Sequence, residues 1–256
     1  MSVANNPFLE AGRDDLLRIM TAPNAGAHNA IYRGKYLGTS VTAAQYAAIA
    51  AGTFDDLYIG DYWTIGGVNW RIAAFDYWLN CGDDGNACTT NHVLIVPDTC
   101  LYNAPMNTTN TTANGYMGSQ MNLSGLAKAN DIIKNAFDRS HIMSRRTYLT
   151  TQVTNGIAST GNWFNDSVSI MCEQMVYGSG IFSPVSNGSN VPANYRVEKS
   201  QLPLFQHEPS RICNRDNWWL RDVVNAAYFA LINGDGLASC DNASNSLGIR
   251  PYFCIY

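Results

Sequence analysis

The last forty residues, Asn217 to Tyr256, constrain the fold most, because short aromatic and aliphatic runs there alternate with turn residues. That pattern suits an antiparallel sheet. Trp218 to Leu220 and Ala226 to Ile232 read as strands, and Asn233-Gly-Asp-Gly236 separates them from Leu237-Ala-Ser-Cys240. Asn and Gly accept positive φ at little cost, so this tetrapeptide reads as the turn of a hairpin. Leu247 to Ile255 then closes the chain as a buried strand. Pro251 has no N–H to give to a ladder, so an edge or a bulge is expected there.

Small polar residues sit between these apolar runs. A rigid sheet that carries a polar, adaptable loop surface is a common way to build a binding face. The residues expected to form it are Asn225, Tyr228, Asn233, Asp235, Ser239, Asp241, Asn242 and Asn245. Asn, Asp, Ser and Gly also dominate ordinary turns, and on pattern alone the same residues read first as turn chemistry. Trp218, Trp219, Arg221 and Arg250 are assigned to the scaffold, the arginines satisfying loop carbonyls or pairing with carboxylates.

Trp218-Trp-Leu-Arg-Asp222 and Gly248-Ile-Arg-Pro-Tyr-Phe-Cys-Ile255 resemble the C-terminal signature of an uncharacterised domain family of phages and gut Firmicutes. The resemblance extends to Tyr32-Arg-Gly-Lys-Tyr-Leu-Gly-Thr-Ser40 and Ile59-Gly-Asp-Tyr-Trp-Thr-Ile65. The C-terminal half is also similar to the C-type-lectin-like fold of phage tropism determinants and sulfatase-modifying enzymes. In that fold a closing strand with a G-x-R core follows a displayed loop segment. The resemblance implies an α+β chain with a C-type-lectin-like domain over 56–256 and a small helical and irregular assembly segment over 1–55. It further implies a non-enzymatic phage virion protein, a fibre, tail or head-decoration subunit, that displays a binding face to a bacterial surface receptor. The implied partners are copies of the same chain, a trimer being the leading expectation, and other virion proteins. The alternatives are a purely architectural capsid or tail component and an enzyme of the sulfatase-modifying type, which would rely on cysteines such as Cys240 and Cys254.

Only 14% of the 256 residues are charged, and the net charge is −4 with no basic run. Nucleic-acid binding has no electrostatic support in such a chain. No apolar stretch approaches the roughly 18 residues of a membrane span. Met-Ser-Val-Ala-Asn-Asn-Pro at the start has neither the basic region nor the apolar core of a secretory leader, and none is expected. Seven cysteines in a chain of this size read mostly as buried small hydrophobes.

Further elements follow from local pattern. Pro7 to Met20 reads as a helix, and Thr42 to Gly52 as an Ala-rich helix with a Thr cap and a terminal Gly. So much Ala permits close packing against another backbone, either as an ordinary core helix of the same chain or against a neighbouring subunit, and residues 1–55 are expected to meet a neighbouring chain. Gly66-Gly67 between Tyr58–Ile65 and Val68–Trp78 is a hairpin signal, and His92 to Pro97 is a further buried strand. Residues 103–124 read as an exposed, variable polar loop. Leu126 to Phe137 and Asn165 to Tyr177 both carry apolar residues at helical spacing. Residues 178–216 form a long Pro-containing connection.

Cys81 and Cys88 with His92 supply metal-ligand types, but the Cys-x6-Cys-x3-His spacing fits no standard zinc site. A local disulfide and two free thiols both remain open for this pair. Glu208-Pro-Ser210 and Asn217-Trp-Trp219 stand where calcium-dependent lectins carry E-P-N and W-N-D, so acceptors a hard cation needs are missing. No metal and no cofactor are expected.

Overall fold

The computed structural model describes residues 24–83, 85–183 and 200–256. The expected helix at Pro7 to Met20 lies outside them, as do residues 184–199 of the expected connection 178–216. The chain is α+β. In order its elements are α1 (Ala25–Asn29), β1 (Tyr36–Gly38), α2 (Ala43–Ala51), β2 (Tyr62–Ile65), β3 (Val68–Phe75), β4 (Val93–Pro97) and β5 (Tyr102–Ala104). There follow α3 (Ala127–Ala136), β6 (Arg145–Thr154), β7 (Ile157–Asp166), β8 (Val168–Ile170), α4 (Glu173–Tyr177) and α5 (Pro203–His207). The closing strands are β9 (Trp218–Val223), β10 (Tyr228–Ile232), β11 (Ala238–Asn242), β12 (Leu247–Ile249) and β13 (Pro251–Ile255).

Two sheets share one core. The first has the order β1-β2-β3-β4-β13-β8 and the second β11-β10-β9-β12-β5. β2 and β3 form a hairpin because Gly66 and Gly67 take φ of 61° and 79°, the left-handed pair that a two-residue primed turn requires. Trp63, Trp70, Phe75 and Trp78 from this region are buried, while Tyr62 and Tyr77 are half-buried. All five residues of β4 are buried, as expected for a strand with neighbours on both sides.

Residues 24–55 join this body. β1 pairs with β2, and Ile49 and Phe54 are fully buried in the shared core. Asn29 bonds the backbone of Phe75 through both ends of its amide, at 2.8 and 2.9 Å. Buried Asp61 gathers Tyr58 N, Lys35 N and the guanidinium of Arg33, which fastens the segment to the sheet. α2 has the expected ends: Thr42 and Gln45 form a reciprocal capping box, and Gly52 closes the helix at φ 70°. Its outer residues Ala43, Ala44, Ala47, Ala50 and Ala51 remain exposed or half-buried.

The expected closing strand is two strands joined at Arg250. β12 belongs to the second sheet and β13 to the first, so one segment passes from sheet to sheet. Arg250 fills the joint, donating from Nε to Pro97 O at 2.9 Å and from a terminal nitrogen to Arg211 O at 2.8 Å. Its plane lies near the Trp218 ring, where a weakly hydrated cation is well accommodated. Pro251 is therefore not at a sheet edge. It is the first residue of β13, facing Ile170 on β8, and β13 pairs with β4 only from Phe253 onward. The missing N–H thus falls where the ladder is one-sided.

Two other expectations change, and one element is added. Asn165 to Tyr177 is not one helix: Val168–Ile170 adds to β13 as a strand, and only Glu173–Tyr177 is helical. Residues 145–166 form a long hairpin of β6 and β7 around Asn155-Gly156, both at positive φ. Residues 103–124 are not a freely exposed loop, because Met106, Thr112, Tyr116, Ser119 and Met121 are buried.

His92, before β4, is buried in its neutral form. Its Nε2 accepts from Trp78 N at 3.0 Å and its Nδ1 lies 2.8 Å from Thr90 O, so both ring nitrogens are engaged by the protein. That geometry removes it as a ligand for a metal held by Cys81 and Cys88. Burial pushes its pKa down to about 4, from an ordinary value of 6.5. The unfolded imidazole binds a proton below 6.5 while the folded one resists until about 4, so stability falls as pH drops across that window and levels off below it. The loss attributable to His92 is about 3 kcal/mol. Urea unfolding at pH 7 and pH 4.5 should show it, and His92→Gln should flatten this part of the profile; an unchanged slope in that variant would rule the assignment out.

Candidate binding face

The β10–β11 hairpin and the segments at its two ends carry the eight residues expected to bind. Cross-strand partners share a face, and the pairs are Tyr228 with Asn242, Phe229 with Asp241, and Leu231 with Ser239. Tyr228 and Asn242 therefore lie on one face, and Ser239 and Asp241 on the other. Both faces of β10 are covered, since Phe229, Ala230, Leu231 and Ile232 are all buried. β11 is the edge strand and is half-buried along its length.

Asn233 and Asp235 sit at the far end of the hairpin. The Asn233 Oδ1 accepts from Asp235 N at 3.1 Å and Leu237 N at 2.9 Å, so its side chain holds the turn. Gly234 N donates to Asn217 Oδ1, and Tyr177 donates its hydroxyl to Gly236 O at 2.8 Å. Asp235 is exposed.

Asn225, Tyr228, Asn242 and Asn245 gather at the opposite end, where two other segments, loop 107–115 and the β6–β7 hairpin, join them. Asn225 Oδ1 accepts from Ala227 N and Tyr228 N, again a structural turn. Thr112 donates its hydroxyl to Asn225 O at 2.6 Å and its amide to Ala226 O at 3.0 Å. Asn110 Oδ1 accepts from both the amide and the hydroxyl of Ser244, and Asn107 N donates to Ala243 O. The same loop runs along β6, with Met117 N donating to Thr150 O and Val153 N to Ala113 O. Gly115 is required at this crossing: its φ is 58°, and a Cβ there would come within 2.6 Å of Thr150 O. The hairpin tip reaches the same place, since a Cβ on Gly156 would be 3.2 Å from Ala226 N.

The result is a composite surface on which Thr108, Thr109, Asn155, Asn245 and Ser246 are exposed. Its backbone is fixed by hydrogen bonds between segments more than a hundred residues apart, such as Thr112 to Asn225. Small polar side chains on a fixed backbone can hydrogen-bond a polar ligand at low ordering cost. Sequence reasoning missed the contributions of loop 107–115 and of the β6–β7 tip. The Asn155-Gly156 dipeptide between Val153 and Ile157 is a hairpin signal that could have located the tip. The loop offered no local signal.

Residues 90–256 match the family model of a domain of unknown function, DUF6273. The chain belongs to that family. The match begins just before β4 and takes in both strands of the β6–β7 hairpin and the whole second sheet, so the composite surface lies within the DUF6273 region. β1 to β3 precede it. No curated protein matches the chain, and no solved structure does.

Two cysteines near the end of the DUF6273 region bear on thiol chemistry. Burial raises the Cys240 thiol, with Asp241 and Glu173 adding to the effect. Burial also pushes Cys254 up to about 12. A thiol acts as a nucleophile through its thiolate, and both environments disfavour that form.

Proposed function

We propose that the protein is a non-enzymatic subunit of a phage particle, a fibre, tail or head-decoration component, that presents the composite polar surface to a bacterial surface receptor. The observation that carries this reading is the convergence of loop 107–115, the 224–228 and 242–246 turns and the β6–β7 tip, tied together through their backbones. Four of the eight residues expected to bind fall there: Asn225, Tyr228, Asn242 and Asn245. A C-type-lectin-like arrangement is supported by the Gly248-Ile-Arg250 segment, which closes the chain after the displayed turns and links the two sheets. The raised thiols of Cys240 and Cys254 weigh against a sulfatase-modifying activity. Assembly with other copies, as a trimer, and with other virion proteins completes the reading.

A purely architectural role is the second reading. It is favoured by the alanine-rich outer face of α2, beside a cleft of about 590 Å³ lined by Ser40, Tyr46 and His141. Such a face lets a neighbouring backbone approach closely, and it would serve self-assembly in either case.

The combined variant Asn242→Ala, Asn245→Ala, Ser246→Ala separates the two. Asn245 and Ser246 are exposed and Asn242 is half-buried, so each substitution should change stability by about 0.5 kcal/mol or less. Light scattering should give the same trimeric mass for parent and variant, and melting should be nearly unchanged. Particles carrying the variant should adsorb to host cells at least about tenfold more weakly, the equivalent of about 1.4 kcal/mol. Normal adsorption by the variant would remove the receptor role and leave the architectural one. A monomeric parent would remove the assembly.

A further inference from the structure

Four Asn-Gly pairs occur in the chain: Asn114-Gly115, Asn155-Gly156, Asn187-Gly188 and Asn233-Gly234. Such a pair is chemically labile, because Gly has no Cβ to shield its amide nitrogen from the preceding side chain and its backbone turns freely toward it. Asn187-Gly188 lies outside the described residues. The other three differ in what holds the two reacting groups, the Asn side-chain amide and the Gly N–H.

Two of the three are locked. Asn233 Oδ1 accepts from Asp235 N at 3.1 Å and Leu237 N at 2.9 Å, and Gly234 N donates to Asn217 Oδ1 at 2.9 Å. Gly115 is buried against Thr150, and its N–H donates to Thr112 O at 2.8 Å. In both pairs the nitrogen reaches the neighbouring amide only by breaking a native hydrogen bond. Asn155-Gly156 is the two-residue loop of the β6–β7 hairpin, closed by the pair Thr154 and Ile157, with φ of 53° and 76°. A turn of this kind is held by the residues that flank the loop, and the N–H of its second residue is not part of the closing bond. Asn155 is exposed, and among the described residues nothing hydrogen-bonds its side-chain amide or Gly156 N.

We propose that Asn155 is a self-modification site, a deamidation position at the hairpin tip that places a negative charge on the composite surface. Gly156 N, giving up its proton, bonds to Asn155 Cγ. The Cγ–Nδ2 bond breaks, and the amino group leaves as ammonia with that proton. Water then opens the resulting succinimide at either carbonyl. Breaking the new bond from Gly156 N to Cγ leaves aspartate, and breaking the original peptide bond leaves isoaspartate, with the main chain running through Cγ. No electrons are transferred, and the net change is an amide exchanged for a carboxylate. Segments 107–115, 152–160, 224–228 and 242–246 contain no Asp, Glu, Lys, Arg or His, so this carboxylate is the first charge in them. The isoaspartate form also adds a carbon to the main chain of a hairpin whose register depends on loop length.

The full chain, kept folded in mildly alkaline buffer and then cut with trypsin together with an endoproteinase that cleaves after Glu, tests this. The digest places the four pairs in separate fragments, 72–128, 147–173, 174–196 and 222–256. Fragment 147–173 should gain the mass of an amide-to-acid exchange, localised to Asn155 by tandem fragmentation, and an isoaspartyl methyltransferase should label it. Fragments 72–128 and 222–256 should lag far behind. Incubation in urea should abolish that lag, because the hydrogen bonds that protect Asn114-Gly115 and Asn233-Gly234 are then gone. Mildly acidic buffer should slow the gain, since the attacking nitrogen must lose its proton. Asn155→Gln, which keeps Asn162 and Asn165 in the same fragment, should abolish the gain. The proposal is overturned if folded 147–173 gains no faster than 72–128 and 222–256, if the lag of those two persists in urea, or if the Asn155→Gln fragment gains mass as the parent does.

Discussion

Trp219→Ala should be among the most destabilising single substitutions in this chain, costing about 3–5 kcal/mol for the cavity alone. The ring is fully buried at the centre of the second sheet, on β9 between β10 and β12. Its Nε1 donates to Ala104 O at 3.0 Å, so it also ties β9 to the outer strand β5. Losing the donor removes the bond to the half-buried Ala104 carbonyl and adds about 1 kcal/mol. A fall in melting temperature of about 10 °C or more should follow for a chain of this length. Trp219→Phe, which keeps most of the volume and loses the N–H, should fall between parent and alanine variant. Equal melting of all three would mean that the ring holds nothing together.

Glu173→Ala should cost about 3 kcal/mol or more, for a different reason. The side chain is fully buried and its carboxylate collects Ile181 N at 2.8 Å, Phe182 N at 2.9 Å, Ser183 N at 3.1 Å and the Ser183 hydroxyl at 2.8 Å. Three backbone donors lose their acceptor at once, at about 1–3 kcal/mol each where water cannot replace it. Glu173→Gln should not rescue fully, because its amide offers one acceptor oxygen in place of two. Hydrogen exchange gives a local readout. Amides at 181–183 should exchange much faster in the alanine variant while β9 stays protected, and unchanged protection at 181–183 would sink the idea.

Elements defined by neighbouring residues are legible in the sequence. The Gly66-Gly67 turn, the Thr42 and Gln45 capping box and the Gly52 stop each depend on the φ preferences and reach of a few adjacent residues. The same holds for α3, whose buried face at Ala129 and Ile133 follows from helical spacing. Asn165 to Tyr177 reads as a helix because Val168, Met171, Cys172 and Met175 fit a helical period equally well. What decides for a strand is β13, whose open side takes Val168–Ile170. The helix begins only after Cys172, where Asp222 accepts from Glu173 N at 2.6 Å from forty-nine residues away. A cap supplied from that distance leaves no mark on the local sequence.

The candidate face divides along the same line. Local pattern suffices to make residues 217–256 a hairpin and a closing strand, to place Trp218, Trp219, Arg221 and Arg250 in the interior, and to crowd Asn and Ser into the turns. Those features follow from side-chain volume, polarity and the steric freedom of single residues. Which polar residues stand together is set instead by long-range pairing. Strand register puts Tyr228 and Asn242 on the face opposite to Ser239 and Asp241, and β12 and β13 fall into different sheets because Arg250 anchors the joint to Pro97 and Arg211. Loop 107–115 reaches the face through buried Thr112, whose partners at Asn225 and Ala226 lie over a hundred residues along the chain. Each is a pairing between segments remote in sequence, and its energy depends on a partner that no local pattern names.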